Sequence, residues 1–298
     1  MSFFIGIDIG GTKTAVGLVD VQKGVVIRKE IFPTPRTSVE VFFRELDSCM
    51  KAMMDAGELK GIGVGVAGIV NREDGVIVRG PNLGKSFQEY GLRDRLQGMY
   101  SLPVTLDNDA RCFTLAESVF GLGKGKRSVF GVTLGTGIGG GYVVDGKVVY
   151  GNDDVAGEIG HMVLEGDSNE VCSCGQVGHL EALASGKAMS RQYQSETGEE
   201  VDMKELEVRA NGGDLKAVRI VQNGARALAK GLSSVIHLID PEVLILGGGL
   251  IRMPIYIEES IKEIPKHFAF KEIHTSIYLS QLGDDAQIIG AAYQAQRM

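Results

Sequence analysis

One pattern occurs twice in this chain. The segment FFIGIDIGGTKTAVGLVDVQKGVVI (3–27) runs strand, Gly/Thr turn, strand, polar turn, strand, and VFGVTLGTGIGGGYVVDGKVV (129–149) runs through the same order about 125 residues later. Each copy opens an alternation of strand-like runs with helically spaced ones, so the expectation is two α/β halves that begin with the same hairpin. The offset is the size of a domain rather than of a solenoid repeat. A chain of 298 residues, 44% hydrophobic and 23% charged, has enough apolar content to build both cores.

Helical spacing is expected from Ser38 to about Ala56 (Val39, Phe42, Phe43, Leu46, Met50, Met53), from Asp109 to about Phe120, over 203–211, 214–237 and 253–263, and from about 285 onward. Strands are expected at 61–68, 102–106, 242–246 and 274–280. Glycine, at 42 residues, is about twice its usual share. It clusters near 10–11, 61–68, 135–141 and 247–249, at the ends of apolar runs, where bare backbone can turn sharply or approach a ligand.

Charge and cysteine usage exclude several classes. Thirty-one basic against 38 acidic residues give a net charge of −7, so no basic field gathers nucleic acid or an anionic membrane. No apolar run is long enough to span a bilayer. Four cysteines (Cys49, Cys112, Cys172, Cys174) and an N-terminus without a secretory pattern point to a reducing cytoplasm.

Four stretches carry residues suited to chemistry. Asp8-Ile9-Gly10-Gly11-Thr12-Lys13 is either a tight hairpin turn or a phosphate loop, with backbone N–H groups, the Thr12 hydroxyl and Lys13 facing an anion and Asp8 holding a hydrated divalent cation. Its counterpart Gly135-Thr136-Gly137-Ile138-Gly139-Gly140 would hold a nucleotide's phosphates from the other side; neither copy has the P-loop or dinucleotide-binding spacing. Gly247-Gly248-Gly249 is a plain strand-to-helix turn or a flat surface for adenine or ribose.

Asp107-Asn108-Asp109 sits where a strand gives way to a helix. An N-cap is one reading, and a base for a hydroxyl that attacks a phosphoryl group is the other, with Asp109 accepting the proton. The most telling spacing is Glu158-x-x-His161, Cys172-x-Cys174, then His179-x-Glu181. His161, Cys172, Cys174 and His179 supply the nitrogen and sulfur ligands of a closed tetrahedral zinc site, with Glu158 and Glu181 beside it. Incidental thiols and solvated carboxylates are the alternative.

Together these residues resemble the ROK family (repressors, open reading frames, kinases), the sugar-kinase branch of the hexokinase/actin-like ATPase superfamily. Asp8 to Lys13 is similar to its ATP-phosphate motif, LGTGIGGGYVVDGKVVYGNDDVAGEIGH (134–161) to its signature, and CSCGQVGHLE (172–181) to its zinc segment. The resemblance implies an α/β fold of two actin-like, ribonuclease H-like domains flanking a cleft. It places the domains at 1–118 with the C-terminal helix 285–298, and at 119–284 with the zinc loop. It implies transfer of a phosphoryl group from ATP and Mg2+ to a hexose hydroxyl, foremost the glucose 6-OH, with Asp109 as general base. Gly68, Asn82, Asn108, Glu158, His161 and Glu181 would then contact the sugar, with Gly247 and Gly248, from their place after a strand, the candidate nucleotide contacts.

One position departs from the family pattern, which has a cysteine where this chain has His179; two thiolates and two neutral imidazoles make the zinc site neutral. Gly80-Pro81-Asn82-Leu83 is similar to glucokinase members, whereas DNDARCF and the zinc segment are equally similar to kinases of N-acetylmannosamine, N-acetylglucosamine or fructose. Repressor members carry an N-terminal helix-turn-helix; a phosphate motif beginning at residue 8 favours the kinase over a non-catalytic sugar-responsive regulator. The family is often dimeric, which makes a homodimer the expected assembly.

Overall fold

The computed structural model describes residues 3–54, 57–80, 83–270 and 272–298. In chain order it begins β1 (Phe3–Ile9), β2 (Lys13–Asp20), β3 (Val25–Pro33), α1 (Val39–Met54), β4 (Leu59–Val66), β5 (Ile69–Asn71), β6 (Val76–Arg79), α2 (Leu92–Tyr100), β7 (Val104–Asn108) and α3 (Asp109–Val119). It continues β8 (Ser128–Leu134), β9 (Ile138–Val144), β10 (Lys147–Val148), α4 (Leu180–Ala184), α5 (Gly186–Thr197), α6 (Met203–Asn211) and α7 (Leu215–Ile239). It ends β11 (Val243–Gly247), α8 (Pro254–Glu263), β12 (Ser276–Leu279) and α9 (Ala286–Gln296). The small β5–β6 hairpin, α2, α4 and α5 were not expected from periodicity, being short or, in α2 and α5, largely polar.

The sequence repeat has a structural counterpart. One sheet has the order β3-β2-β1-β4-β7 and the other β10-β9-β8-β11-β12, so each is an opening meander extended by two later strands. In the first, β1 pairs antiparallel with β2 and parallel with β4; in the second, β11 is parallel to β8 and β12. Contacts divide the chain into two units, one of residues up to 125 with 141–156 and 281–298, the other of 126–140 and 157–280.

In the first unit, strand alternation sorts the side chains. Ile5, Ile7 and Ile9 of β1 and Ile62, Val64 and Val66 of β4 join Phe42, Phe43, Leu46, Met50 and Met53 of α1 in one buried cluster. On the opposite face lie Gly6 and Asp8 of β1 and Gly61, Gly63 and Gly65 of β4. The glycine excess has its reason there: a Cβ on Gly6 would stand 2.0 Å from the Ile288 carbonyl oxygen and one on Gly63 1.7 Å from that of Ala291. Bare backbone lets α9 lie directly on β1 and β4, and α9 meets α3 equally closely, a Cβ on Gly290 falling 1.8 Å from the Cys112 oxygen. In the second unit the 25-residue α7 is the central helix, with α4, α5, α6 and α8 packed on it.

Candidate active site

Register brings Asp8 and Asp109 together in the first unit. Asp8 is paired with Gly65 across β1 and β4, and a Cβ on Gly65 would be 3.4 Å from Asp109 Cα. Burial first, and the Asp109 charge second, push the Asp8 carboxyl up from 3.8 to about 7, against the opposing pull of Lys13. A divalent cation would relieve that repulsion, which is why this pair suits one.

The turn after Asp8 is fastened by its carbonyls. Gly10 O accepts from Thr34 Oγ1 at 2.7 Å, Gly11 O from Arg36 Nε and Nη2 at 3.0 and 2.8 Å, and Thr12 O from Thr34 N at 3.0 Å. In a planar trans peptide the N–H points opposite the C=O, so the N–H groups of Gly11, Thr12 and Lys13 face away from these anchors. That is the arrangement an anion-binding turn needs. Lys13 Nζ lies 3.4 Å from Asp284.

Asn108 fulfils the cap reading of its stretch. Asn108 caps α3, its side chain accepting from Ala110 N (2.9 Å) and Arg111 N (3.3 Å), while its Nδ2 donates to Gly68 O at 3.2 Å. Gly68 has backbone close by, since a Cβ there would stand 2.5 Å from the Arg79 oxygen. Asp109 is thus the first residue of a helix at the carboxyl end of a parallel strand, a common ligand position in α/β sheets. Asn82, expected to contact sugar, lies outside the described residues.

Behind this pair is a buried network that sequence reasoning missed. Asp107, 1% exposed in its side chain, accepts from Asn108 N (2.7 Å), Arg111 Nη1 (3.2 Å), Tyr150 OH (3.0 Å) and Gln294 Nε2 (2.7 Å). Arg111 also donates to the Asp154 carbonyl, and Arg72 pairs with Asp154 at 3.1 Å while lying over the Tyr150 ring. Burial and then the Asp107 charge raise the Tyr150 hydroxyl's pKa. The only sequence signal was an Asp four residues before an Arg at a helix start.

The second unit holds the other turn and the metal-type cluster. Here too carbonyls are anchored: Gly135 O accepts from Gly186 N (2.9 Å), Thr136 O from Lys187 N (3.3 Å) and Gly137 O from Gly135 N (3.0 Å). The N–H groups of Thr136 and Gly137 therefore face away from α5. Ile138 N donates to Glu181 Oε2 at 3.0 Å. Because β8 and β11 are neighbours, Gly247 and Gly248 come beside this turn; Gly248 has φ +88° and a Cβ there would be 2.4 Å from the Leu134 oxygen. Close backbone approach is thus one reason for glycine at 248.

His161, Cys172, Cys174 and His179 converge, with one donor atom from each inside a cluster no wider than 4.8 Å. Cys172 Sγ is 3.6 Å from His161 Nδ1, and Cys174 Sγ is 3.3 Å from His179 Nδ1. Tetrahedral zinc places adjacent sulfur and nitrogen ligands about 3.5 Å apart, so the donor set fits zinc. Burial and the neighbouring His161 hold the His179 imidazole toward its neutral, ligating form. Burial, foremost, pushes the Cys172 thiol up to about 12, so its thiolate form needs a cation. Glu158 precedes the short 3-10 turn Ile159–His161, and Gly160 lets that turn approach the Ile138 carbonyl, 2.0 Å from where a Cβ would stand.

The glucokinase of Thermotoga maritima is 33% identical over 97% of this chain and 95% of its own length. The N-acetyl-D-glucosamine kinase of Yersinia enterocolitica is 30% identical over 97% of this chain and 98% of its own. A ROK family glucokinase from Streptomyces griseus, in complex with glucose and AMPPNP, superimposes with a TM-score of 0.87 at 29% identity, covering 99% of this chain and 100% of that one. The profile of the ROK family matches residues 4–298, and the chain belongs to that family.

Proposed function

We propose that this protein is an ATP-dependent hexose kinase that phosphorylates a sugar hydroxyl, with the glucose 6-OH as the first candidate. The observation that carries the reading is Asp109, the first residue of α3 at the end of a parallel strand, within a chain matched by the family over its described length. Asp109 accepts the proton of the attacking hydroxyl as the new O–P bond forms and the bond from the γ-phosphorus to the bridging oxygen breaks to release ADP, a role that depends on placement more than on a large pKa shift. Asn108, fixed as the α3 cap and bonded to Gly68, sets the direction of its neighbour.

The N–H groups of Gly11, Thr12 and Lys13 and those of Thr136 and Gly137 bind the phosphates of ATP, and Gly247 and Gly248 leave a flat surface for its nucleoside. Asp8 holds hydrated Mg2+, which when bound neutralises charge developing on the transferred phosphoryl group. Glu158, His161, Glu181, Asn108, Gly68 and Asn82 read the sugar hydroxyls. Glu181 already accepts three hydrogen bonds, from Ile138 N, Ser173 Oγ and Cys172 Sγ, but a carboxylate has about four acceptor positions, so capacity remains. Zinc in the four-residue cluster pins the loop that leads into α4, the helix that carries Glu181.

Kinship with the Yersinia N-acetyl-D-glucosamine kinase favours an N-acetylhexosamine as the second candidate substrate. The pocket around C2 would decide between the two, and a difference of that size between sugars is a matter of a few contacts. The test is ADP release with Mg-ATP against glucose, mannose, fructose, N-acetylglucosamine, N-acetylmannosamine and allose, with zinc content measured on the same preparation. Turnover that requires one of these sugars supports the proposal; a folded, zinc-loaded protein that turns over none of them removes it. A homodimer in the cytoplasm is the assembly and place this reading expects, with sedimentation as its check.

A further inference from the structure

Glu181 bridges two features of the second unit. Its Oε2 accepts from the N–H of Ile138, the last residue of the Gly135–Ile138 turn, at 3.0 Å. Its Oε1 accepts from the Ser173 hydroxyl at 2.5 Å and lies 3.5 Å from Cys172 Sγ. Ser173 stands between the two cysteines of the metal-type cluster, and His179 immediately precedes the helix that carries Glu181. The contact with the turn is tight, for a Cβ on Gly137 would fall 2.5 Å from Glu181 Oε2. One carboxylate therefore has one oxygen on the cluster's loop and the other on the turn's backbone.

We propose that Glu181 is a positioning residue through which metal binding at His161, Cys172, Cys174 and His179 orders the Gly135–Ile138 turn and so strengthens nucleotide binding. This rests on reading the turn as a phosphate site and the cluster as a zinc site. Metal fixes the backbone of Cys172–Cys174 and aims Ser173 at Glu181; with Oε1 held, Oε2 keeps the Gly137–Ile138 peptide plane in place. Without metal the two-cysteine segment is free to turn, Ser173 loses its aim, and the turn is held by one anchor fewer. Linkage requires reciprocity: the factor by which zinc tightens nucleotide is the factor by which nucleotide tightens zinc.

The experiment is calorimetric binding of a non-hydrolysable ATP analogue with magnesium, on zinc-loaded and zinc-stripped protein, together with zinc affinity by chelator competition with and without the analogue. Stripping zinc is expected to weaken analogue binding about tenfold, with zinc affinity changing by the same factor in the reciprocal measurement. Ser173→Ala keeps all four ligands and the fold but cuts the bridge, so its analogue affinity should no longer depend on zinc; Ser173→Thr, which keeps the hydroxyl, should restore the dependence. Gly135→Ala separates the possible failures, because a Cβ at Gly135 meets no atom within 4 Å yet stands beside the phosphate-facing amides. If Gly135→Ala leaves analogue affinity unchanged, the phosphate reading of the turn fails. If Gly135→Ala weakens binding while Ser173→Ala retains the full zinc effect, the bridge is overturned. Wild-type protein that holds no zinc overturns it as well.

Discussion

Replacing Gly63 by alanine tests how the first unit is assembled. The new methyl would stand 1.7 Å from the Ala291 carbonyl oxygen and 2.3 Å from its carbon, both backbone atoms that cannot swing aside. Relief requires α9 to retreat by about 2 Å to reach ordinary contact distance. Overpacking that the structure can absorb costs about 1–3 kcal/mol. If the helix detaches instead, the burial of Ile288 and Ile289 at about 2 kcal/mol each, with the methyls of Ala286, Ala291, Ala292 and Ala295, sets a ceiling of about 7 kcal/mol. The expected loss is therefore about 3–7 kcal/mol, read as the opening free energy of α9 amides by hydrogen exchange, which isolates this unit where a global melt would mix both. Gly98→Ala is the control, since Gly98 lies inside α2 with nothing within 4 Å of its Cβ, and it should stabilise by about 0.5–1 kcal/mol. A Gly63→Ala protein within about 0.5 kcal/mol of wild type would refute the claim that glycine is there to admit the helix.

Asp109→Asn should lower kcat by about 10²–10⁴ with KM for sugar and ATP nearly unchanged and zinc retained, as measured by coupled ADP release. The raised Asp8 pKa means that, without magnesium, the native state keeps a proton that the unfolded chain gives up between pH 4 and 7. Stability should fall as pH rises through that window, and Asp8→Asn should flatten the slope in urea titrations at successive pH values. Asp107→Asn removes a buried charge paired with the Arg111 guanidinium at 3.2 Å, at an expected cost of about 3–5 kcal/mol; restoration of stability by adding Arg111→Met would identify the loss of that pairing as the cause. His179→Cys adds a third thiolate, and zinc retention against a chelator should rise at least about tenfold; an unchanged affinity would mean that His179 is not a ligand.

Residues close together in sequence, or carried by a repeated pattern, were the readable part of the site. The two Gly/Thr turns and the Asn108–Asp109 helix start each sit within a few positions, and the Cys172-x-Cys174 loop with its flanking histidines within 19, so spacing alone exposed them. Tyr150 and Gln294 carry no local signal, and they meet at Asp107 only because β7, the 141–156 segment and α9 share one unit. Ser173 was invisible for a related reason, since its partner Glu181 belongs to a helix whose five residues are too few to show a period.

The sequence by itself determined the α/β alternation, the duplicated hairpin, the polar residues at strand ends and the glycine clusters, because these follow from period, turn chemistry and composition, which are properties of neighbours along the chain. Tertiary structure decided what some of those glycines make room for and which groups surround each carboxylate. Gly6, Gly63 and Gly290 serve close contacts of α9, burial and then the nearness of Asp109 shift the Asp8 carboxyl, and Glu181 is engaged by both a serine and a backbone amide. Each of these depends on a distance between groups far apart in the chain, set by strand register and helix docking, to which no local pattern is sensitive.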